Sequence, residues 1–164
     1  MLAKVISSAV LGIDAYPVDV EADISPSLPL FVTVGLPDGA VRESRERVQA
    51  AIRNSDFLYP SKKITINLAP ADIRKEGSGF DLPMAVVILA ATGQILREDF
   101  SGYVMVGELS LDGALKPIPG VLPMAMRALE DKRAGMIVPP DNAREAAIAT
   151  GLNVYPIASL ADTV

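Results

Sequence analysis

The chain reads as an α+β domain in which strands come first and α/β crossovers follow. Three observations predict this. Val5 to Val10, Val18 to Ile24 and Leu30 to Val34 alternate apolar and polar residues as half-buried strands do. Two later segments, 39–53 and 81–92, carry helical patterning on either side of one further strand. After residue 100, short apolar runs alternate with helical segments, the signature of crossover units.

Taken in order, the first three strands suggest an antiparallel meander, broken by Pro26, Ser27 and Pro29 before Leu30. Gly35 to Gly39 is a turn, and Asp38 is placed to cap a helix from Gly39 to Arg53. At 100° per residue, Val41, Ser44, Val48, Ala51 and Ile52 share one face, and Arg42, Arg45, Gln49 and Arg53 form a ridge along its flank. Glu43 with Arg47, and Arg42 with Glu46, are also spaced as helix-supporting pairs. After the Tyr59-Pro60 turn, Lys63 to Asn67 alternates as a strand that ends in Leu68-Ala69-Pro70. A glycine loop, Gly77-Ser78-Gly79, precedes an apolar helix of about four turns capped by Asp81. Val104 to Leu111 and Ala114 to Pro117, joined at Asp112-Gly113, read as a hairpin. A helix from Val121 to Leu129, a buried strand from Met136 to Val138, a helix capped by Asp141 and running to Thr150, and a strand at Val154-Tyr155 follow. Residues 158–164 begin a further element.

Composition excludes much chemistry. The 164 residues are 50% hydrophobic with few aromatics, so the core is built from Val, Ile, Leu, Ala and Met. There is no cysteine, hence no disulfide, thiolate nucleophile or Cys-based zinc site. There is no histidine either, which removes Ser-His-Asp and Cys-His triads and most metal sites. No run is long enough for a membrane span and no signal-peptide core opens the chain, so the expectation is a soluble, cytoplasmic protein without membrane contact.

The net charge of −5 is unevenly placed. Residues 42–75 hold eight Lys/Arg against four Asp/Glu, whereas residues 1–41 hold one against five and residues 76–164 six against eleven. The basic third contains Arg42, Arg45, Arg47, Arg53, Lys62, Lys63, Arg74 and Lys75. It is either a local polyanion site or a solvated helix face with ordinary strand flanks.

The glycine loop at a helix N-terminus is open to three readings: an anion cradle, an oxyanion hole or a tight turn. A nucleotide-binding P-loop needs Gly-x4-Gly-Lys-Ser/Thr, and Gly77-Ser78-Gly79 has neither the span nor the lysine. Without histidine, serine chemistry requires a Ser-Lys dyad; Ser78 is the candidate nucleophile, with Lys75 or Lys116 as base. Asp72, Glu76 and Asp81 allow paired-carboxylate chemistry in principle, but turn and cap roles account for Asp72 and Asp81 more simply. No spacing resembles a calcium loop, and no metal site is expected.

Several longer motifs carry a family resemblance. Val34-Gly35-Leu36-Pro37-Asp38, Ala40-Val41-Arg42-Glu43-Ser44, Ile66-Asn67-Leu68-Ala69-Pro70-Ala71-Asp72, Lys75 to Pro83, and Gly107-Glu108-Leu109-Ser110-Leu111-Asp112-Gly113 resemble the N-terminal domain of ComM/YifB proteins, the Mg-chelatase-like AAA+ ATPases of bacteria. The resemblance covers essentially the whole chain. It implies a fold like the Lon-protease proteolytic domain, within the ribosomal-protein-S5-domain-2-like group. It also implies that the chain is a single N-terminal domain, 1–164, whose ATPase motor lies elsewhere, so that ATP and Mg2+ belong to the motor and no cofactor to this chain. The Mg-chelatase label reflects the motor's ancestry; nothing in these residues points to tetrapyrrole chemistry.

The Lon nucleophile loop reads Lys-Asp-Gly-Pro-Ser-Ala-Gly, against Lys75-Glu76-Gly77-Ser78-Gly79-Phe80-Asp81 here. Aligned from the shared Lys-acid-Gly, the nucleophile position falls on Gly79, and Ser78 stands one place early. The lysine position falls on Leu122. The resemblance thus implies a retained fold and a lost peptidase. It also implies a hexameric motor that drives DNA branch migration in natural transformation or recombination. In that setting Arg42, Arg45, Arg53, Lys62, Lys63, Arg74 and Lys75 are the candidate phosphate contacts, and the few aromatics give no support to base stacking. Two other readings stand beside it: an oligomerisation or partner-docking module without DNA contact, and a Ser-Lys hydrolase.

Overall fold

The structure, a computed structural model, describes residues 1–97 and 99–164. Strands β1 (Leu2–Leu11) and β2 (Asp14–Ser25) form a long antiparallel hairpin closed by Gly12, whose φ of 67° suits the tight turn. β3 (Leu30–Val34), helix α1 (Gly39–Asn54), β4 (Lys63–Ala69) and helix α2 (Asp81–Ala91) follow. Then come β5 (Tyr103–Met105), β6 (Glu108–Leu109), β7 (Leu115–Lys116), α3 (Val121–Glu130), β8 (Gly135–Val138), a 3-10 turn (Pro140–Asn142), α4 (Ala143–Ala146), β9 (Val154–Pro156) and α5 (Leu160–Thr163). Seven strands make one sheet in the order β3-β4-β2-β1-β5-β8-β9, and β6 with β7 make a separate ribbon.

The fold is a mixed α/β one whose sheet is mostly parallel. Within that sheet β1–β2 and β2–β4 pair antiparallel, while β1–β5, β3–β4, β5–β8 and β8–β9 run parallel. The expected three-strand meander is therefore corrected: β3 does not join β2 but lies on the far side of β4, parallel to it. The Pro26–Pro29 break separates β2 from β3, and α1 supplies the crossover that the parallel β3–β4 pair needs. Gly35 makes the passage possible, because a Cβ there would sit 2.1 Å from the Leu68 carbonyl oxygen.

Alternation sorts the core into two layers. Val5, Val20, Ile64, Ile66 and Leu68 pack against α1 and α2 on one face. Their neighbours of opposite parity, Ile6, Val104, Met136 and Val138, pack with α3 and α4 on the other. The sequence-expected face of α1 is the buried one, residue for residue: Val41, Ser44, Val48, Ala51 and Ile52. Asp38 caps that helix, accepting from the Val41 N–H at 2.8 Å.

Three further expectations change. The 104–117 hairpin divides at Gly107: β5 stays in the main sheet and only β6 and β7 form the ribbon, with Asp112-Gly113 at its turn. The 141–150 helix is one 3-10 turn plus the short α4, and Asp141 caps nothing; buried Asn142 instead bridges the N–H and C=O of Ile118 at 3.0 Å each. α2 spans three turns rather than four, and Asp81 is not its cap but its first buried residue.

Candidate functional site

The glycine loop is a packed turn. Lys75 runs parallel to Pro37, its N–H donating to the Leu36 carbonyl and its C=O accepting from the Asp38 N–H. The Gly77 N–H points at Asp38 Oδ2 at 3.4 Å, and the Asp81 N–H donates to the Ser78 carbonyl. With a carboxylate already facing Gly77, and Glu76 and Glu108 close by, the loop offers an anion little.

Ser78 donates its hydroxyl to the Glu108 carboxylate. The sequence had offered Lys75 or Lys116 as partner; the structure brings neither to Ser78. Lys75 is fully buried, with its ammonium on the Pro70 carbonyl oxygen, and burial lowers its pKa against the opposing pull of Asp72. Lys116 lies opposite Glu108 in the ribbon and its side chain is exposed. Gly79, which the resemblance to Lon aligns with a nucleophile, has Ile118 against it: a Cβ there would come within 2.9 Å of Ile118 Cδ1. Leu122 stands in the first turn of α3, and its N–H is capped by Glu145 at 2.9 Å. Ser78, Gly79 and Ile118 border a cleft of about 580 Å³ between the end of β1, the glycine loop and Ile118-Pro119; Lys75, Lys116 and Leu122 do not line it. No general base is placed to serve a nucleophile at position 79 from either lysine.

Asp81 proves to be structural. Its fully buried carboxylate takes a forked pair from Arg47, Nε at 2.6 Å and Nη2 at 3.1 Å, and a third bond from the Leu109 N–H at 3.0 Å. Burial pushes the Asp81 carboxyl up from its ordinary value, opposed by Arg47, Ser44 and the Leu109 N–H. The hydrogen bond to Asp81 is also what chiefly raises Arg47. The pair ties α1, α2 and the β6–β7 ribbon together.

The remaining basic residues separate by position. Arg42 and Arg74 line one shallow depression at the start of α1. Arg45, Arg53 and Lys62 line another further along, of about 130 Å³. The ridge Arg42, Arg45, Gln49, Arg53 thus runs roughly 16 Å along α1, at 1.5 Å per residue, from Arg74 at one end to Lys62 at the other. Lys63 is half-buried in β4, paired in register with Leu30 and Ser25. Lys75, being buried, does not belong to this surface. Arg45 lies 3.5 Å from Glu46 and Arg74 3.8 Å from Glu76, exposed pairs worth little. Among the described residues, Arg42, Arg53 and Lys62 make no salt bridge.

Two residues that sequence reasoning passed over join the second depression. Tyr59 lies 5.3 Å beneath the Arg53 guanidinium, and Phe31 comes from edge strand β3. The signal available was an aromatic, Tyr59, inside the basic third. Among the described residues no cluster of three or more His, Cys, Asp or Glu side chains gathers to hold a metal ion, and no helix is long and apolar enough to cross a membrane.

Comparison with known proteins gives the family. The family model described as subunit ChlI of Mg-chelatase matches residues 20–142. YifB of Escherichia coli K12 is 47% identical over 150 residues, covering 92% of this chain and 29% of that protein. The competence protein ComM of Haemophilus influenzae is 42% identical over 163 residues, covering 99% of this chain and 32% of that protein. Lon protease of Azospirillum brasilense is a more distant likeness, 22% identical over 158 residues and 88% of this chain. The class these matches define is that of the Mg-chelatase-like AAA+ proteins. Within it the chain belongs to the ComM/YifB family, as its N-terminal domain. The chain spans about three-tenths of the length of these two relatives.

Proposed function

We propose that this chain is a non-peptidase accessory domain of a ComM-like AAA+ motor and that it guides DNA through contacts along the outer flank of α1. The observation that carries the reading is the ridge itself. Arg42, Arg45 and Arg53 are exposed on one flank of a helix, extended by Arg74 and Lys62, on a protein that is acidic elsewhere. Such a row neutralises phosphates with little choice of sequence. The relative ComM is named a competence protein, which fits a role in handling DNA. The Lon-like, S5-domain-2-like classification goes with this reading, and so does the loss of peptidase activity: Gly79 and Leu122 cannot act as nucleophile and base. ATP and Mg2+ are then the business of the motor, since residues 75–79 provide no P-loop. A cytoplasmic, ring-forming assembly in recombination or branch migration is the setting we assign.

Fluorescence anisotropy with labelled single-stranded, duplex and forked DNA tests the reading. Binding that falls steeply between 50 and 200 mM salt is expected. No binding at low salt would leave the domain as a scaffold for ring assembly.

A further inference from the structure

The second depression on the ridge has features that a plain phosphate-contact surface does not need. Two aromatics, Phe31 and Tyr59, line it beside Leu30 and Pro60, and its rim carries Arg45, Arg53 and Lys62, with Glu46 3.5 Å from Arg45; Gln49 adds an amide. Arg53 lies between Gln49 and the Tyr59 ring. With the Gln49 amide oriented so that its oxygen faces the guanidinium, that oxygen accepts from both terminal nitrogens of Arg53 at 3.1 Å. The guanidinium is stationed over the Tyr59 ring at 5.3 Å, and among the described residues no carboxylate neutralises it. An oriented, unneutralised cation on an aromatic ring presents a flat π surface and a charge together.

From this geometry we infer that the depression formed by Phe31, Tyr59, Gln49, Arg45, Arg53 and Lys62 is a nucleotide pocket for single-stranded DNA. One unpaired base stacks against the Arg53–Tyr59 platform while its flanking phosphates meet Arg45 and Lys62. The pocket rests on the reading of the ridge as a DNA surface and adds to it a preference for unpaired bases, which a duplex keeps stacked inside. Stacking on such a platform tolerates any base, so the preference is for strandedness and not for sequence.

The test compares a labelled oligothymidine with a duplex of mixed sequence, by anisotropy at low salt, for the unaltered chain and for Tyr59→Leu and Gln49→Ala. Circular dichroism and urea midpoints check that each variant folds. Tyr59→Leu should weaken oligothymidine binding on the order of tenfold and leave duplex binding within about twofold. Gln49→Ala, which releases Arg53 without removing a charge, should show the same asymmetry to a smaller degree. Salt-sensitive binding that treats both polymers alike in all three proteins would overturn the pocket and leave the ridge standing. Absence of binding to either polymer would overturn both. Should Tyr59→Leu fail to fold, Gln49→Ala and Tyr59→Phe decide alone: an unchanged ratio of single-strand to duplex affinity in Gln49→Ala rejects the pocket, whereas Tyr59→Phe keeps the ring and should bind as the parent does.

Discussion

Two arginines six residues apart on α1 have opposite fates. Arg47 turns inward, about a fifth exposed, and spends its charge on the fully buried Asp81. Arg53 turns outward, makes no salt bridge among the described residues, and lies over the Tyr59 ring beside Gln49. The same side chain is a tie between layers in one position and an available cation in the other. A basic segment is therefore not one structural unit: Arg47 and Lys75 belong to the architecture, and the outer flank stays exposed.

That contrast is most exposed to test where the tie is cut. Arg47→Met leaves an uncompensated buried carboxylate and should cost about 3–5 kcal/mol in urea unfolding. The double change Arg47→Met/Asp81→Leu should recover much of that loss, because a well-packed apolar pair avoids the desolvation of both ions. Equal destabilisation by the single and double variants would show that the pair is not what joins α1 to α2.

Lys75 gives a smaller effect with a sign. Burial lowers its folded-state pKa, so over the window between that value and the ordinary lysine range the unfolded chain binds more protons than the folded one. Stability from this group therefore rises with pH across that window and is flat below it. Lys75→Met should abolish the rise in a series of urea midpoints and be neutral or mildly stabilising at pH 7. A midpoint–pH curve identical to the parent's would mean that Lys75 titrates normally.

On the outer flank, Arg45→Gln should change stability by less than about 0.5 kcal/mol, and Arg53→Gln, which also removes the contact with Tyr59, by less than about 1 kcal/mol. A loss as large as that of Arg47→Met would erase the distinction between the two flanks. The cleft at the glycine loop should give no signal at all. A serine-reactive phosphonate should leave Ser78 unlabelled, since its hydroxyl is directed at Glu108 and no lysine adjoins it. Labelling that disappears in Ser78→Ala would restore a hydrolase reading.

Local patterning made much of this legible. The buried face of α1, its Asp38 cap and the alternation of β4 all follow from short-range periodicity and were readable as such. What escaped depends on contacts between segments far apart in sequence. β3 looked like the third strand of a meander because its own residues say nothing about its neighbour, and only the α1 crossover sets it beside β4. Asp81 had the position of a cap, and its true partner lies 34 residues earlier. Lys75 looked like surface because lysine usually is, while its burial follows from the Pro37–Lys75 bridge. The ridge was visible from helical spacing, but the Tyr59 and Phe31 beside it were not, since loop and edge-strand residues reach α1 only in the folded chain.

The central claim is that the outer flank of α1 is a DNA surface, and the direct measurement is the salt dependence of DNA affinity for the unaltered chain and for Arg45→Gln/Arg53→Gln/Lys62→Gln. The account predicts log–log plots in which the triple variant binds more weakly at every salt concentration, with a slope shallower by about 2–3 because up to three phosphate contacts are gone. Superimposable plots for the two proteins would contradict it and move any DNA contact off this flank.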